Sequence, residues 1–411
     1  MIISQLARAC YPFHPYGGLE RHVYHLTLEL ARLGHHVRLY TQPPDPGHPL
    51  TVDDPAWQEQ VQHFPVPYSA FKFLRRNSIP DRLVNYPLFA LSLGRAVRHE
   101  QPATDIVHAH GLAGYGYARR PLADVPLVLN PHGMEEFKGR AWAKQLAYTP
   151  FRELLHRTAT HSARVIATDT ALLPEVERNL KVSAGKIALI PNAVALDELD
   201  HEAAQVNLVE MRQEYNINTE NSFIFLSVGR IESNKGFEVM LEALGLAREK
   251  LGSLQPGWRW LVVGSGSQAQ KLKQETDRLD LSSKVSWLGP VDTQHLHALY
   301  QLAGLFVHPT LYEGSSLVTL EALSHRLPVI ASRTGGLPDK VLESGKYENG
   351  RLCPPGNPSE LAAHLIELAG LPPETRKEMG QRGRQLVEDR FSWPAAALKT
   401  VALYESLLNI K

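Results

Sequence analysis

FIFLSVGRIESNKGFEVMLEAL, residues 223–244, is the stretch whose reading decides the fold. Its first part is a short apolar run, rich in aromatic and branched side chains and closed by Gly229. It reads as a strand buried on both faces. The chain then turns polar through Arg230 and Lys235. From Gly236-Phe237 onward its apolar residues recur with helical spacing, as in an amphipathic helix. A buried strand feeding straight into a helix is half of a βαβ unit, which calls for a parallel sheet with helices on its faces.

The same pattern extends in both directions. Further strands downstream are RWLVVGSGS (259–267), KVSWLG (284–289), LFVHPT (305–310) and PVIAS (328–332). Upstream lies an earlier series: IISQLARACYP from residue 2, HVRLYT (36–41), DIVHAHG (105–111), PLVLNPHG (126–133), RVIATD (164–169) and KIALIPNAV (186–194). Between the two series the segment 196–222 is polar and reads as a linker. The expectation is an α/β chain of two doubly wound, Rossmann-like domains. Ligands of such sheets bind beyond the carboxyl ends of the strands, and two facing domains form a cleft there.

Composition narrows the function classes. A chain of 411 residues exceeds one ordinary core and suits two domains of roughly 200 residues each. Lys+Arg and Asp+Glu are equal at 43 each, so no global field favours nucleic acid. The two cysteines, Cys10 and Cys353, are far apart and point to neither a disulfide framework nor a thiolate zinc site. No leader-like or membrane-spanning apolar run is visible, so the expected setting is the cytoplasm.

Four strand-end features carry the chemistry. In PYGGLERH (15–22), Gly17-Gly18 precede a helix whose N-terminus favours negative charge; a plain tight turn is the alternative. Arg230 and Lys235 could clamp a diphosphate, or simply be solvated. In HPTLYEGSSLVTLEAL (308–323), a Gly-Ser-Ser loop opens a helix between Glu313 and Glu321, combining anion-binding amides with carboxylates. His132 follows a strand end, where its imidazole or its carbonyl can face the expected cleft; a structural histidine is the alternative. Gly264, Gly266 and Ala269 fit a dinucleotide fingerprint, which raises an NAD-dependent oxidoreductase as a rival. The strand that follows, KVSWLGPV, ends without the acidic residue such a site needs. His108 and His110 alternate along one strand, but the sequence offers no third ligand to complete a metal site, so none is predicted.

Taken in order, Gly-Gly-x-Glu, His-Gly, Gly-Arg…Lys-Gly and Glu-Gly…Glu-Ala resemble retaining glycosyltransferase family 4, and the resemblance spans nearly the whole chain. It implies the GT-B fold, with an acceptor-side domain at 1–195 completed by the C-terminal helix 394–411, and a nucleotide-sugar domain at 196–393. It further implies that Gly17 and Gly18 approach the donor. Gly229, Arg230 and Lys235 would line the diphosphate, and Glu313 would hold sugar hydroxyls. Gly314 and the amides of Ser315, Ser316 and Leu317 would meet phosphate. Glu321, about two turns into its helix, would take the ribose. His132 would contact the sugar, and Thr168 stands where the family often has a serine near it. No cofactor and no divalent metal are expected beyond the nucleotide-sugar co-substrate.

The chain departs from the family where Ser315-Ser316 replace Phe-Gly, where Ala193 replaces the glycine of Asn-Gly, and where Asp339 replaces glutamate. The reaction implied is transfer from a nucleotide-diphosphate sugar, UDP first and GDP next, to a glycan, lipid-linked or small-molecule hydroxyl. Other readings are another GT-B enzyme such as a nucleotide-sugar epimerase, or a non-catalytic nucleotide-sugar binder; a phosphorylase would need a pyridoxal-bearing lysine, for which the sequence makes no case. The basic, aromatic stretches 137–164 and 71–76 are candidates for peripheral contact with the inner face of a membrane, against the plainer reading of solvated helix faces.

Overall fold

The computed structural model describes residues 1–15, 17–68, 71, 78–132, 137, 146–217, 222–253 and 257–409. The chain divides into two compact units, residues 1–192 with 393–411, and residues 193–392.

The first unit is built on seven strands: β1 (Ile2–Leu6), β2 (His36–Thr41), β3 (Val61–Pro65), β4 (Ile106–His110), β5 (Leu127–Asn130), β6 (Arg164–Ala167) and β7 (Ile187–Leu189). They lie parallel in the order β3-β2-β1-β4-β5-β6-β7. The strand order reverses direction between β1 and β4, and that junction is where doubly wound sheets bind ligands. Helix Gly18–Arg32 follows β1, and the terminal helix Trp393–Leu408 packs on it, with Trp393 stacked on His25 at 5.3 Å between ring centres. Tyr404, on the same terminal helix, meets the buried His108 of β4 through its hydroxyl.

The second unit has six parallel strands: β8 (Ser222–Val228), β9 (Gly257–Val263), β10 (Val285–Gly289), β11 (Leu305–His308), β12 (Val329–Ser332) and β13 (Gly350–Cys353). Their order is β10-β9-β8-β11-β12-β13, with the switch between β8 and β11. Alternate residues of β8 enter two separate cores: Phe225 joins Trp260 and Leu241 on one face, while Ile224, Leu226 and Val228 join Phe306 and Leu320 on the other. A sheet covered on both faces is what the continuous apolar run requires. Helix Phe237–Gly252 turns Phe237, Met240, Leu241, Leu244 and Leu251 onto the first of these faces.

Three features differ from the sequence expectation. Strands β3 and β13 were absent from it; both are sheet edges, where one ladder side is unpaired and apolar patterning is weaker. Most of the 196–222 segment is not a tether. It forms helices Leu196–Ala204 and Leu208–Glu214, docked on the second unit through Leu196, Leu199, Leu208 and Met211. Asp200 accepts a two-pronged bond from the Arg384 guanidinium, each arm 2.7 Å, which fastens the first of these helices.

Candidate active site

In the second unit the site grows from the two strands at the switch point. After β8 the chain runs through exposed Arg230 and a single turn at Ser233–Lys235. Gly236 then adopts φ 68, and a Cβ there would lie 1.9 Å from the Pro309 carbonyl oxygen. Only glycine allows that approach, which brings Lys235 against the loop that follows β11. The Leu311 amide and the Thr310 hydroxyl both donate to the Asn234 carbonyl, at 2.8 and 2.9 Å, and knit the two loops together.

Glu313 stands at the centre of this junction. Its Oε2 accepts from Lys235 Nζ at 2.6 Å and from His308 Nε2 at 3.0 Å, while Oε1 accepts from the Gly314 amide at 3.1 Å. Burial alone raises a carboxyl pKa, but the bonds from His308 and Lys235 outweigh it and hold Glu313 at about 2. Burial also lowers the pKa of His308, against the pull of the Glu313 carboxylate, so its imidazole is a neutral donor. His308 was missed in the sequence; its only signal was its place at a strand end, five residues before Glu313.

The loop then enters helix Leu317–Ser324. Ser316 is buried and caps it, its hydroxyl accepting from the Thr319 amide at 3.3 Å. Ser315 accepts instead from Lys340 Nζ at 3.3 Å. Both serine hydroxyls therefore serve the scaffold. Leu317 is exposed at the first helical position. Glu321 lies just over one turn into the helix, closer to the loop than the two turns expected, because the helix begins only at Leu317. Behind it the buried Tyr300 hydroxyl donates to Glu321 Oε2 at 3.1 Å. The Tyr300 ring stacks on His325, which meets His297, which in turn reaches Glu202 at 2.7 Å.

The Gly264–Gly266 stretch does not present a dinucleotide cradle. Its loop is used up against the β8 loop, with the Ser267 amide and hydroxyl on Glu232 at 3.0 and 2.6 Å and the Gln268 amide on the Ile231 carbonyl.

In the first unit, Gly17 caps helix Gly18–Arg32 beyond β1 and accepts from the Arg21 amide. His132, beyond β5, is held in a left-handed conformation at φ 57, which a non-glycine residue adopts only under constraint. The Asn130 side chain accepts its amide at 3.1 Å. Its Nε2 lies 3.0 Å from His110 Nδ1, and His110 Nε2 lies 3.2 Å from Gln5 Oε1. With Gln5 accepting, His110 presents its lone pair at Nδ1 and receives the proton on His132 Nε2. The His22 ring packs edge-on against His132 at 4.8 Å. The ring nitrogens of His22, His110 and His132 come within 4.8 Å of one another, a grouping the sequence did not reveal because His22 belongs to a helix. Burial pushes all three pKa values down, His22 to about 4, so the trio is uncharged at neutral pH. Thr168 is buried beyond β6, with its hydroxyl on the Asp169 carboxylate at 3.0 Å.

Of the basic, aromatic stretches, residues 72–76 and 138–145 lie outside the described residues. The rest of 137–164 includes helix Thr149–His161, which buries Phe151 and Leu155 and pairs Arg157 with Glu153 at 3.0 Å. No helix among the described residues is long and apolar enough to cross a membrane.

Two Rossmann-like units with their candidate loops at the strand-order switches define a doubly wound α/β class, and solved structures specify it further. Over 100% of both chains the protein matches sucrose-phosphate synthase from Thermosynechococcus elongatus, with TM-score 0.68 and 22% identity. It matches Anabaena HepE in complex with UDP-glucose over 99% of this chain and 100% of that one, with TM-score 0.64 and 18% identity. The fold is GT-B. The model of Glycosyltransferase Family 4 matches residues 16–198 and that of Glycosyl transferases group 1 matches residues 210–386. The chain belongs to these family 4, group 1 glycosyltransferases. A relative, the MMP alpha-(1->4)-mannosyltransferase of Mycolicibacterium hassiacum, is 26% identical over 415 residues, spanning 95% of each chain.

Proposed function

We propose that this glycosyltransferase moves a sugar from a nucleotide-diphosphate donor, UDP-linked first and GDP-linked next, to a hydroxyl of a glycan, lipid-linked or small-molecule acceptor. Transfer proceeds with retention of anomeric configuration and without a divalent metal, in the cytoplasm, with any membrane contact peripheral. The observation that carries the reading is the Lys235–Glu313–His308 constellation beside the Gly314–Leu317 loop, with Glu321 one turn beyond. Glu313, ionised and oriented by two donors, accepts sugar hydroxyls. The amides of Ser315, Ser316 and Leu317 meet the diphosphate at a helix N-terminus, and Glu321 accepts the ribose hydroxyls. HepE, holding UDP-glucose on the same fold, supports a nucleotide-sugar donor.

In the reaction the bond from the anomeric carbon to phosphate oxygen breaks and the acceptor oxygen bonds to that carbon on the same face. The acceptor's proton passes to the departing phosphate oxygen, and the nucleoside diphosphate leaves. Arg230 and Lys235 stabilise the charge growing on the diphosphate, a contribution of the kind worth about 100- to 1000-fold in rate. Neutral His132 contacts the sugar, where an uncharged imidazole does not oppose developing positive character. Gly17, Gly18 and Thr168 are the first unit's candidate donor contacts.

The test is thermal shift and turnover across UDP-, GDP- and ADP-sugars with EDTA present. One donor series should stabilise the protein and turn over in EDTA, with α-linked donor giving α-linked product by NMR. Binding of NAD in place of every nucleotide-sugar, strict dependence on added metal, or inverted product would each overturn the corresponding part.

A further inference from the structure

The geometry points to Lys340 as a positioning cation of the diphosphate subsite, acting through Ser315; this rests on the donor reading above and extends it. Lys340 follows the short turn Leu337–Asp339, and its side chain is fully buried. Its Nζ donates to Ser315 Oγ at 3.3 Å and to the Gly336 carbonyl at 3.2 Å, with the Phe391 ring centre 5.8 Å away. The ammonium thus sits directly behind the loop whose amides are proposed to meet phosphate.

Lys340 is held in that place by its surroundings. The buried Asn349 donates to the Lys340 carbonyl at 2.9 Å and accepts from the Leu342 amide at 3.0 Å, which fixes the backbone from which the side chain leaves. The two loops that Lys340 joins are also clamped through their backbones. The Gly336 amide donates to the Gly314 carbonyl at 2.9 Å, and Gly335, at φ 54, leaves no space for a Cβ, which would lie 1.9 Å from the Glu313 carbonyl oxygen. A displacement at Lys340 is therefore transmitted to residues 313–316.

A buried ammonium carries a desolvation cost that an apolar chain of equal length would not. Its position gives that charge a use, since fields act over longer range in a dry interior than in water. A positive charge behind the loop strengthens its preference for an anion, and the bond to Ser315 ties the loop to the lysine. Phenylalanine at position 315 could not accept that bond, so the serine and the lysine operate as a pair. The ligand chemistry they recognise is the diphosphate and not the nucleoside.

The experiment compares binding of UDP, GDP, uridine and guanosine to the full chain and to Lys340→Met, Ser315→Ala and the double variant by calorimetry. Lys340→Met should weaken binding of the preferred nucleoside diphosphate by about tenfold, one charge-assisted bond's worth, and leave the nucleoside unchanged. Ser315→Ala should weaken it severalfold, and the double variant should be no worse than Lys340→Met alone. Unchanged diphosphate affinity in Lys340→Met overturns the inference, as does an equal loss for nucleoside and diphosphate, which would mark a structural role. If Lys340→Met does not fold, Ser315→Ala decides, and unchanged diphosphate affinity there is negative. Should the native chain bind neither diphosphate, the donor reading itself fails and takes this inference with it; a native chain that binds while both variants bind equally well sinks only the lysine.

Discussion

Glu313→Gln makes the sharpest physical test, because it removes one charge from a half-enclosed constellation and changes little in shape. The Lys235 and Glu313 side chains are each only 15% exposed, so their interaction is weakly screened. Folding moves the Glu313 carboxyl from an ordinary 4.5 to about 2. At 1.36 kcal/mol per unit, that displacement corresponds to about 3 kcal/mol of stability carried by the ionised form. Since the folded value is the lower one, the contribution is complete above pH 4.5 and disappears as pH falls toward 2, with half gone near about pH 3. Glu313→Gln should therefore destabilise the protein by up to about 3 kcal/mol at pH 7 and by progressively less in acid. Urea unfolding of both proteins, followed by far-UV circular dichroism from pH 7 to pH 3, gives the difference at each pH, in which the other carboxyls cancel. A difference that stays flat across that range would refute the assignment of an ionised, doubly bonded Glu313.

Three other substitutions test neighbouring steps. Tyr300→Phe removes the hydroxyl 3.1 Å from Glu321 Oε2; donor KM should rise about tenfold with kcat within a factor of two, and an unchanged KM would show that Tyr300 does not orient Glu321. His132→Asn keeps a residue that tolerates φ 57 while deleting the imidazole, so kcat should fall about 100-fold with little change in thermal stability. Initial-rate kinetics beside a melting curve separate the two effects. Gly335→Ala forces a Cβ onto the Glu313 carbonyl and should cost about 2 kcal/mol or more in urea, together with nucleotide affinity; a neutral substitution would mean the two loops are not clamped.

Strand ends and their glycines were legible in the sequence because parallel strands covered on both faces leave uninterrupted apolar runs, as in FIFLSV and LFVH. The edge strand VQHFP carries polar residues and ends in proline, and GRLC is short and begins with glycine, so neither stands out as a run. The carboxylates and cations of the site could be named from their places beside these strands. Their partners could not. His308, Tyr300, Gln5 and Lys340 matter through bonds to residues between 5 and 105 positions away, and no periodicity records such a pairing. A buried lysine looks like an exposed one until the packing is known. Segment 196–222 misled for the converse reason: its many polar residues mask the few apolar ones, Leu196, Leu199, Leu208 and Met211, that do the docking, and the pairing of Asp200 with Arg384 spans 184 positions.

The apparent conflict in HPTLYEGSSLVTLEAL, anion-binding amides bracketed by carboxylates, is resolved by charge pairing. Lys235 is positive, Glu313 negative and His308 neutral, so the three together carry no net charge and present little repulsion to a phosphate beside them. In the proposed reaction this leaves Glu313 to act as a hydroxyl acceptor. The same bonds make it a poor nucleophile and a poor base, since one oxygen already receives two donors and its pKa lies far below neutrality. An attack through Oε2 would have to give up the 2.6 Å bond to Lys235, and one through Oε1 would weaken the 3.1 Å bond from the Gly314 amide. Same-face attack by the acceptor, with the leaving phosphate taking the proton, asks for no such rupture. It needs only that the amides, Arg230 and Lys235 hold the diphosphate while its bond to the sugar lengthens. In the proposed mechanism, then, the carboxylate nearest the sugar holds the substrate, and the substrate's own phosphate moves the proton.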